Sequence, residues 1–212
     1  ISGHYKKLCS PDVLGIKFEE QTEWKAFFRW CKVQTFPKLI KTKLTLRSFF
    51  YDEFANAVRN FGDSGYYVYR TYFSEYAEDE LEVNSIVNIK GIINTASLKA
   101  ILKWILSDNE LCKEIQTKEH SAVTYSRSGY SFDNDYPCYL NYIFKNAKWI
   151  EFEGKCYAPS DCLVSEKTEF SSYIPCLSNK YFSDLGFSAD ERSTIKSFLL
   201  ELNAAQTVGE LS

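Results

Sequence analysis

Histidine is almost missing from this chain of 212 residues, which carries only His4 and His120. Nucleophilic triads need a histidine, and His120 beside Ser121 is the one pairing on offer; adjacency in sequence is not triad geometry, so His120 reads as a surface residue. Methionine is absent altogether, which is unusual at this length. There is no GxGxxG or GxxxxGKS/T phosphate loop. Gly62-Asp63-Ser64-Gly65 has too few glycines and no lysine for one, and reads as a turn. No apolar run approaches membrane-spanning length and no charged-then-apolar leader opens the chain, so a soluble protein without an export signal or a membrane partner is expected. Net charge is also scarce: 25 basic and 28 acidic residues leave −3. No global field draws the chain to nucleic acid or anionic lipid, and such binding needs a local patch.

Seven cysteines are present, Cys9, Cys31, Cys112, Cys138, Cys156, Cys162 and Cys176. An odd, scattered set without a CxxC pair points to reduced thiols in a cytoplasm, used as small apolar core residues. Cys156 and Cys162 lack histidine partners for zinc. Asp133-Asn134-Asp135 lacks the glycine and distal glutamate of a calcium loop and reads as a turn with a helix cap. No catalytic, cofactor or metal residue is expected.

What the chain does have is apolar mass: 45% hydrophobic and 17% aromatic residues, enough for an ordered core. Trp24, Phe27, Phe28 and Cys31 recur at helical spacing, with Pro37 after them. Phe36 to Leu46 alternates weakly. A helix with Phe50, Phe54 and Val58 on one side should stop at Gly62, and a second should carry Tyr66, Tyr69, Tyr72, Phe73 and Tyr76. Leu81 to Ile93 leaves strand and helix both open. Ser97 is the N-cap of a helix with the stripe Leu98, Ile101, Leu102, Ile105 and Leu106. Thr117 to Asp135 is either an irregular hairpin, pairing Val123 and Tyr125 with Tyr130 and Phe132, or a long loop. Asp135 is expected to cap a helix with Pro137 in its first turn and Leu140, Ile143, Phe144 and Ala147 facing inward. Ser188 and Glu191 form a capping box for a last helix burying Ile195, Phe198, Leu199 and Leu202. The fold class expected is mainly α with short β-hairpins, an α+β helical body.

Trp149 to Leu202 is the most patterned stretch. A Trp149-led hairpin near 149–158 should turn at Glu153-Gly154, because glycine tolerates the positive φ that tight turns demand. Pro159-Ser160-Asp161, Ile174-Pro175 and Leu185-Gly186-Phe187 follow before the last helix. Leu14-Gly15-Ile16, followed by Trp24, Phe27 and Phe28, matches that junction in order, spacing and residue type. The chain is therefore expected to be the tail of one repeat-like unit, 1–34, followed by one complete unit, 35–212.

Through Trp149, Ile150, Gly154, Pro159, Ser160, Asp161, Ile174, Pro175, Leu185 and Gly186 the stretch resembles recurring segments of the sacsin-like and NO VEIN-like proteins. These are long chains that carry a GHKL-type ATPase domain. Glu151, Cys162 and Cys176 depart from the group's pattern, and the strong match covers about a quarter of the chain. The ATPase motifs are not in this sequence, so the resemblance implies a non-catalytic body outside the ATPase domain. A structural and protein-interaction module of a large cytoplasmic, chaperone-like or defence-system protein is expected, with other domains of its own chain and further proteins as partners.

Two alternatives come from other residues. Lys38, Lys41, Lys43 and Arg47, beside Phe36, Phe49, Phe50 and Tyr51, make a basic and aromatic segment suited to a nucleic-acid backbone. Pro11-Asp12 with Glu23-Trp24-Lys25 formally matches the PD-ExK nuclease pattern, although Glu23 to Lys25 open a helix where that chemistry wants a strand. Tyr66 and Tyr69 are the expected members of a tyrosine-rich partner surface.

Overall fold

A computed structural model describes residues 36–44, 51–167 and 173–211, with backbone alone for Tyr51 and Asp52. The expectations that rest on Asp12, Leu14 to Ile16, Glu23 to Lys25 and Arg47 lie outside these residues. Backbone proximity groups Leu39–Ser212 as one unit and Ile1–Lys38 as another, a division four residues beyond the one expected.

The larger unit is α+β and mainly helical, as the sequence pattern indicates. In chain order it contains β1 (Leu39–Leu44), α1 (Tyr51–Arg59), α2 (Gly62–Tyr72), β2 (Leu81–Ile86), α3 (Ile89–Thr95) and α4 (Leu98–Ser107). Next come α5 (Asn109–Gln116), β3 (Glu119–Tyr125), β4 (Ser131–Pro137), α6 (Tyr139–Asn146), β5 (Ile150–Phe152) and β6 (Lys155–Tyr157). A 3₁₀ turn at Pro159–Asp161 leads to α7 (Asn179–Asp184) and α8 (Ala189–Glu201). The strands form three antiparallel pairs, β1–β2, β3–β4 and β5–β6. Leu81 to Ile93 resolves as both readings, a strand and then a helix.

The core is built where the periodicity placed it. Ser97 accepts the Ala100 amide at 3.3 Å, satisfying one of the unpaired donors at the start of α4. That helix buries Leu98, Ile101, Leu102 and Ile105 as expected, and adds Trp104. Phe54 of α1 stands edge-on to Phe73, Tyr139 and Tyr142, tying α1 to the segment after α2 and to α6. Ser188 and Glu191 close a reciprocal capping box on α8, with Glu191 Oε2 accepting the Ser188 amide at 2.8 Å. Leu163, Cys176 and Ala205 form a small satellite core, held by parallel bridges from Leu163 to the other two.

Three local expectations are corrected. α2 ends at Tyr72 with Phe73 as its C-cap, so Tyr76 is not on that helix but in the turn beyond it, 90% exposed. Gly62 to Gly65 is not a free-standing turn: only Gly62 adopts positive φ, +67°, and it already opens α2. Gly65 is buried inside that helix, where an added Cβ would lie 2.2 Å from the Val58 carbonyl oxygen and 2.6 Å from Phe61 Cβ. Its role is to let α2 start against the end of α1. Asp135 caps no helix. The chain from Ser131 to Pro137 pairs along β3, the Asp135 amide donates to Ser64 Oγ, and its carboxylate accepts the Ser121 hydroxyl. With Asp135 so engaged, Cys138 becomes the N-cap of α6, without a side-chain cap bond.

Glu166 joins the last two helices. Its carboxylate accepts the Asn179 amide at the start of α7, at 3.1 Å, and pairs with Lys196 of α8. The Lys196 hydrogen bond, with smaller help from the Asn179 amide, outweighs the opposing effect of burial and holds the carboxyl below its ordinary value of 4.5. A depressed folded pKa stabilises the fold above the unfolded value, and that stabilisation disappears as pH falls through the folded one. Glu166→Gln is therefore expected to lower Tm at pH 7 and to flatten the fall of Tm below pH 4.5. Identical acid profiles in the two proteins would contradict this linkage.

Candidate functional site

The basic segment begins in β1, where the ladder sets Lys43 opposite Glu82 and Lys41 opposite Asn84. Lys41 Nζ sits 2.7 Å from Glu82 Oε1, and Lys43 Nζ sits 3.1 Å from Glu80 Oε2. The Lys41–Glu82 hydrogen bond pushes the ammonium pKa up and the carboxyl pKa down. Exposed pairs of this kind contribute little to stability, but they cancel the local positive field that phosphate binding needs. Lys38 is exposed, and Arg47 is outside the described residues.

The tyrosine surface divides. Tyr66 and its neighbour Tyr67 point into solvent, while Tyr69 lies half-buried, stacked on Phe73 with the Arg59 guanidinium 5.6 Å above its ring. Tyr69 is thus a packing residue on the core side of α2.

The Trp149 motif serves the core. Trp149 is 2% exposed, donates from Nε1 to the Phe144 carbonyl at 2.7 Å and meets the Phe144 ring edge-on. Glu153 and Gly154 both take positive φ, +49° and +76°, as the two-residue turn between β5 and β6 requires. Pro159 is buried, Ser160 is half-buried, and Asp161 returns a carboxylate to the Ala158 amide at 3.1 Å. Gly186, at φ +82°, ends α7 with its amide on the Ser183 carbonyl at 2.8 Å. A shallow depression of about 520 Å³ beside this hairpin is lined by Asn94, Thr95, Lys148, Trp149, Glu151 and Cys156 among others.

Thr117 to Asp135 is a regular hairpin, with seven residue pairs running from Glu119 opposite Pro137 to Tyr125 opposite Ser131. Strand alternation puts Glu119, Ser121, Val123 and Tyr125 on one face with Ser131, Asp133 and Asp135, and all of these are exposed. Val123, Tyr125, Tyr130 and Phe132 leave 41–69% of their surface in water. The hairpin is nonetheless held: Tyr72 of α2 donates to the Val123 carbonyl at 2.7 Å, and Ser64 of α2 receives the Asp135 amide.

At the base of this hairpin three side chains from three elements converge. Glu114 comes from the last turn of α5, His120 from the start of β3 and Cys138 from the N-cap of α6, and one donor atom of each lies within 4.8 Å of the others. His120 Nε2 is 2.8 Å from Glu114 Oε1, and Cys138 Sγ donates to the same oxygen at 3.3 Å. The Glu114 side chain is 11% exposed and that of His120 33%, while Cys138 is fully buried. His120 is therefore a half-buried, paired residue, where the sequence suggested a surface one. Asn141 fixes the join by donating to the Ile115 carbonyl at 2.7 Å, and the Cys138 amide extends the hairpin ladder to the Lys118 carbonyl at 3.0 Å.

Burial pushes the Glu114 carboxyl up, but hydrogen bonds from His120, Asn84 and Cys138, with the charge of His120, outweigh it and leave the group below its ordinary value. Burial drives the Cys138 thiol the other way, up to about 12, against the lowering effect of the Asn141 and Leu140 amides. Tyr136, across the ladder from His120, is likewise pushed up to about 12 by burial and by neighbouring Cys138 and Glu114. A neutral, buried thiol is a poor nucleophile, so the cluster lacks the activated sulfur that covalent catalysis needs.

No single residue of the three carries a signal in sequence, and no fixed spacing joins them. The hairpin register does: pairing Tyr125 with Ser131 sets His120 opposite Tyr136, two residues before Cys138. Among the described residues no helix is long and apolar enough to cross a membrane. No family model matches the chain, and neither does any curated protein or solved structure.

Proposed function

We propose that residues 39–212 form a non-catalytic protein-interaction module of a large, cytoplasmic, ATPase-bearing protein of the chaperone-like or defence-system kind, and that the outer face of the β3–β4 hairpin is its docking surface. The observation that carries this reading is the exposure of Val123 and Tyr125 on that face, with Tyr130 exposed in the connecting loop and Phe132 exposed on the opposite face, in a hairpin anchored through its backbone to α2. Clustered exposed apolar rings mark interaction sites on soluble proteins, and a fixed backbone reduces the ordering cost of binding. Glu119, Asp133 and Asp135 share that face, so the partner is a protein segment presenting lysine or arginine around an apolar centre. The same acids disfavour a phosphate backbone there. Burial raises the pKa of Cys112, Cys138, Cys162 and Cys176, in keeping with thiols used for packing. The Trp149 to Gly186 motif, similar to segments of sacsin-like and NO VEIN-like chains, supports the setting.

A photo-crosslinking amino acid at position 125, used in cells, tests this proposal. Discrete protein adducts through basic segments are expected, and Tyr130→Asp with Asp133→Lys should remove them. Nucleic-acid adducts, or none, would overturn it. Salt-dependent binding of DNA or RNA that is lost in Lys38→Glu with Lys41→Glu would instead support the nucleic-acid alternative.

A further inference from the structure

We propose that Glu114, His120 and Cys138 form a zinc-binding site at the base of the β3–β4 hairpin, a role separate from the docking face and independent of it. The donor set is a thiolate sulfur, an imidazole nitrogen and a carboxylate oxygen, the mixture that suits zinc better than calcium or magnesium. Zinc bonds of about 2.0–2.3 Å in a tetrahedral arrangement place neighbouring donors about 3.3–3.6 Å apart. The His120 Nε2 to Glu114 oxygen distance is 2.8 Å and the Cys138 Sγ to Glu114 oxygen distance 3.3 Å. These two contacts need to open by about half an ångström or less, and the His120 and Cys138 donor atoms, within 4.8 Å of each other, need to close toward the same spacing.

The charge balance favours the site. Glu114 is already ionised, and binding removes the proton of the Cys138 thiol to solvent, which pairs two negative ligands with a divalent cation. His120 coordinates through Nε2 as a neutral imidazole with its proton on Nδ1. The resulting centre is neutral overall, the form least penalised where Cys138 is fully buried. Asn84, hydrogen-bonded to the Glu114 carboxylate, supplies the outer support that metal ligands commonly have. His120 is the most exposed of the three, so the site is most accessible past its ring. The three ligands stand at the end of α5, the start of β3 and the start of α6, so the ion clamps all three segments together.

The full chain, stripped of metal by chelator and kept reduced, tests the site by titration with Co²⁺ and then Zn²⁺. A near-ultraviolet thiolate-to-cobalt absorption saturating at one equivalent is expected, displaced by Zn²⁺, together with a rise in Tm on adding Zn²⁺. Cys138→Ser should abolish the absorption, while Cys156→Ser, at an exposed thiol elsewhere, should leave it unchanged. His120→Gln and Glu114→Gln, checked for native circular dichroism, should each weaken zinc affinity by more than about a hundredfold, since even outer-shell losses cost about 10–100-fold. Stoichiometric binding that survives any of these three substitutions, or no binding to the native chain, overturns the proposal. If Cys138→Ser does not fold, the two glutamine variants decide alone.

Discussion

Replacing Trp149 by alanine is expected to cost about 3–5 kcal/mol, the usual penalty for deleting a fully buried indole. The indole fills the space beside Phe144 and satisfies that residue's carbonyl at 2.7 Å, so the substitution leaves both a cavity and an unpaired buried acceptor. Domains are stable by about 5–15 kcal/mol, which makes this a large share of the total. At about 2–4 °C per kcal/mol for a unit of this size, Tm should fall by about 6–20 °C. Trp149→Phe separates the two contributions, because it keeps an aromatic ring but loses the donor, and it should recover part of the loss. Urea unfolding followed by circular dichroism checks both. A Trp149→Ala protein within about 1 kcal/mol of the parent would show that the hairpin is peripheral to stability.

Gly65→Ala should also destabilise, although alanine normally favours a helix over glycine by about 1 kcal/mol. Steric exclusion wins here, because the added methyl would lie 2.2 Å from a backbone oxygen that cannot rotate away. Separating α1 from α2 to make room disturbs Val58 and Val68, both 0% exposed. A net loss of about 1–3 kcal/mol is expected, the range for overpacking a tight interior. The control is Gly62→Ala, where no atom lies within 4 Å and only the positive φ resists substitution. Calorimetry on the two variants should rank Gly65→Ala as the more damaging, and the reverse order would locate the constraint in backbone conformation instead of space.

The contrast between these glycines shows what was legible in the sequence. Signals that act within a few residues are legible: the Ser97 cap and the stripe that follows it, buried except for the partly exposed Leu106, the Glu153-Gly154 turn, and the reciprocal pair Ser188 and Glu191. Each depends on chemistry between near neighbours. A glycine can serve conformation or space, and sequence does not separate the two, so Gly65 passed as part of a turn. Asp135 carries the residue type of a helix cap, but hydroxyls from Ser64 and Ser121, distant in sequence, take up its hydrogen-bonding groups. The pairing of two lysines of the basic segment was hidden in the same way, since Glu80 and Glu82 reach Lys43 and Lys41 only once β1 and β2 are paired. Glu114, His120 and Cys138 were each ordinary alone, and it took the hairpin register and the turn into α6 to bring them together.

The pairing of β1 with β2 sets a limit on where this chain can be shortened. Leu44, 2% exposed, pairs with Leu81 on the face that also carries Val83, and Leu39 pairs with Ile86 on the other face, yet α1 and α2 intervene in sequence. Trimming the amino-terminal side past Leu39 would strip β2 of the one strand partner it has among the described residues, baring a row of unpaired amides and carbonyls beside greasy side chains. Such a raw edge invites stacking between copies, so truncated versions begun within α1 should precipitate where those begun before Leu39 stay in solution.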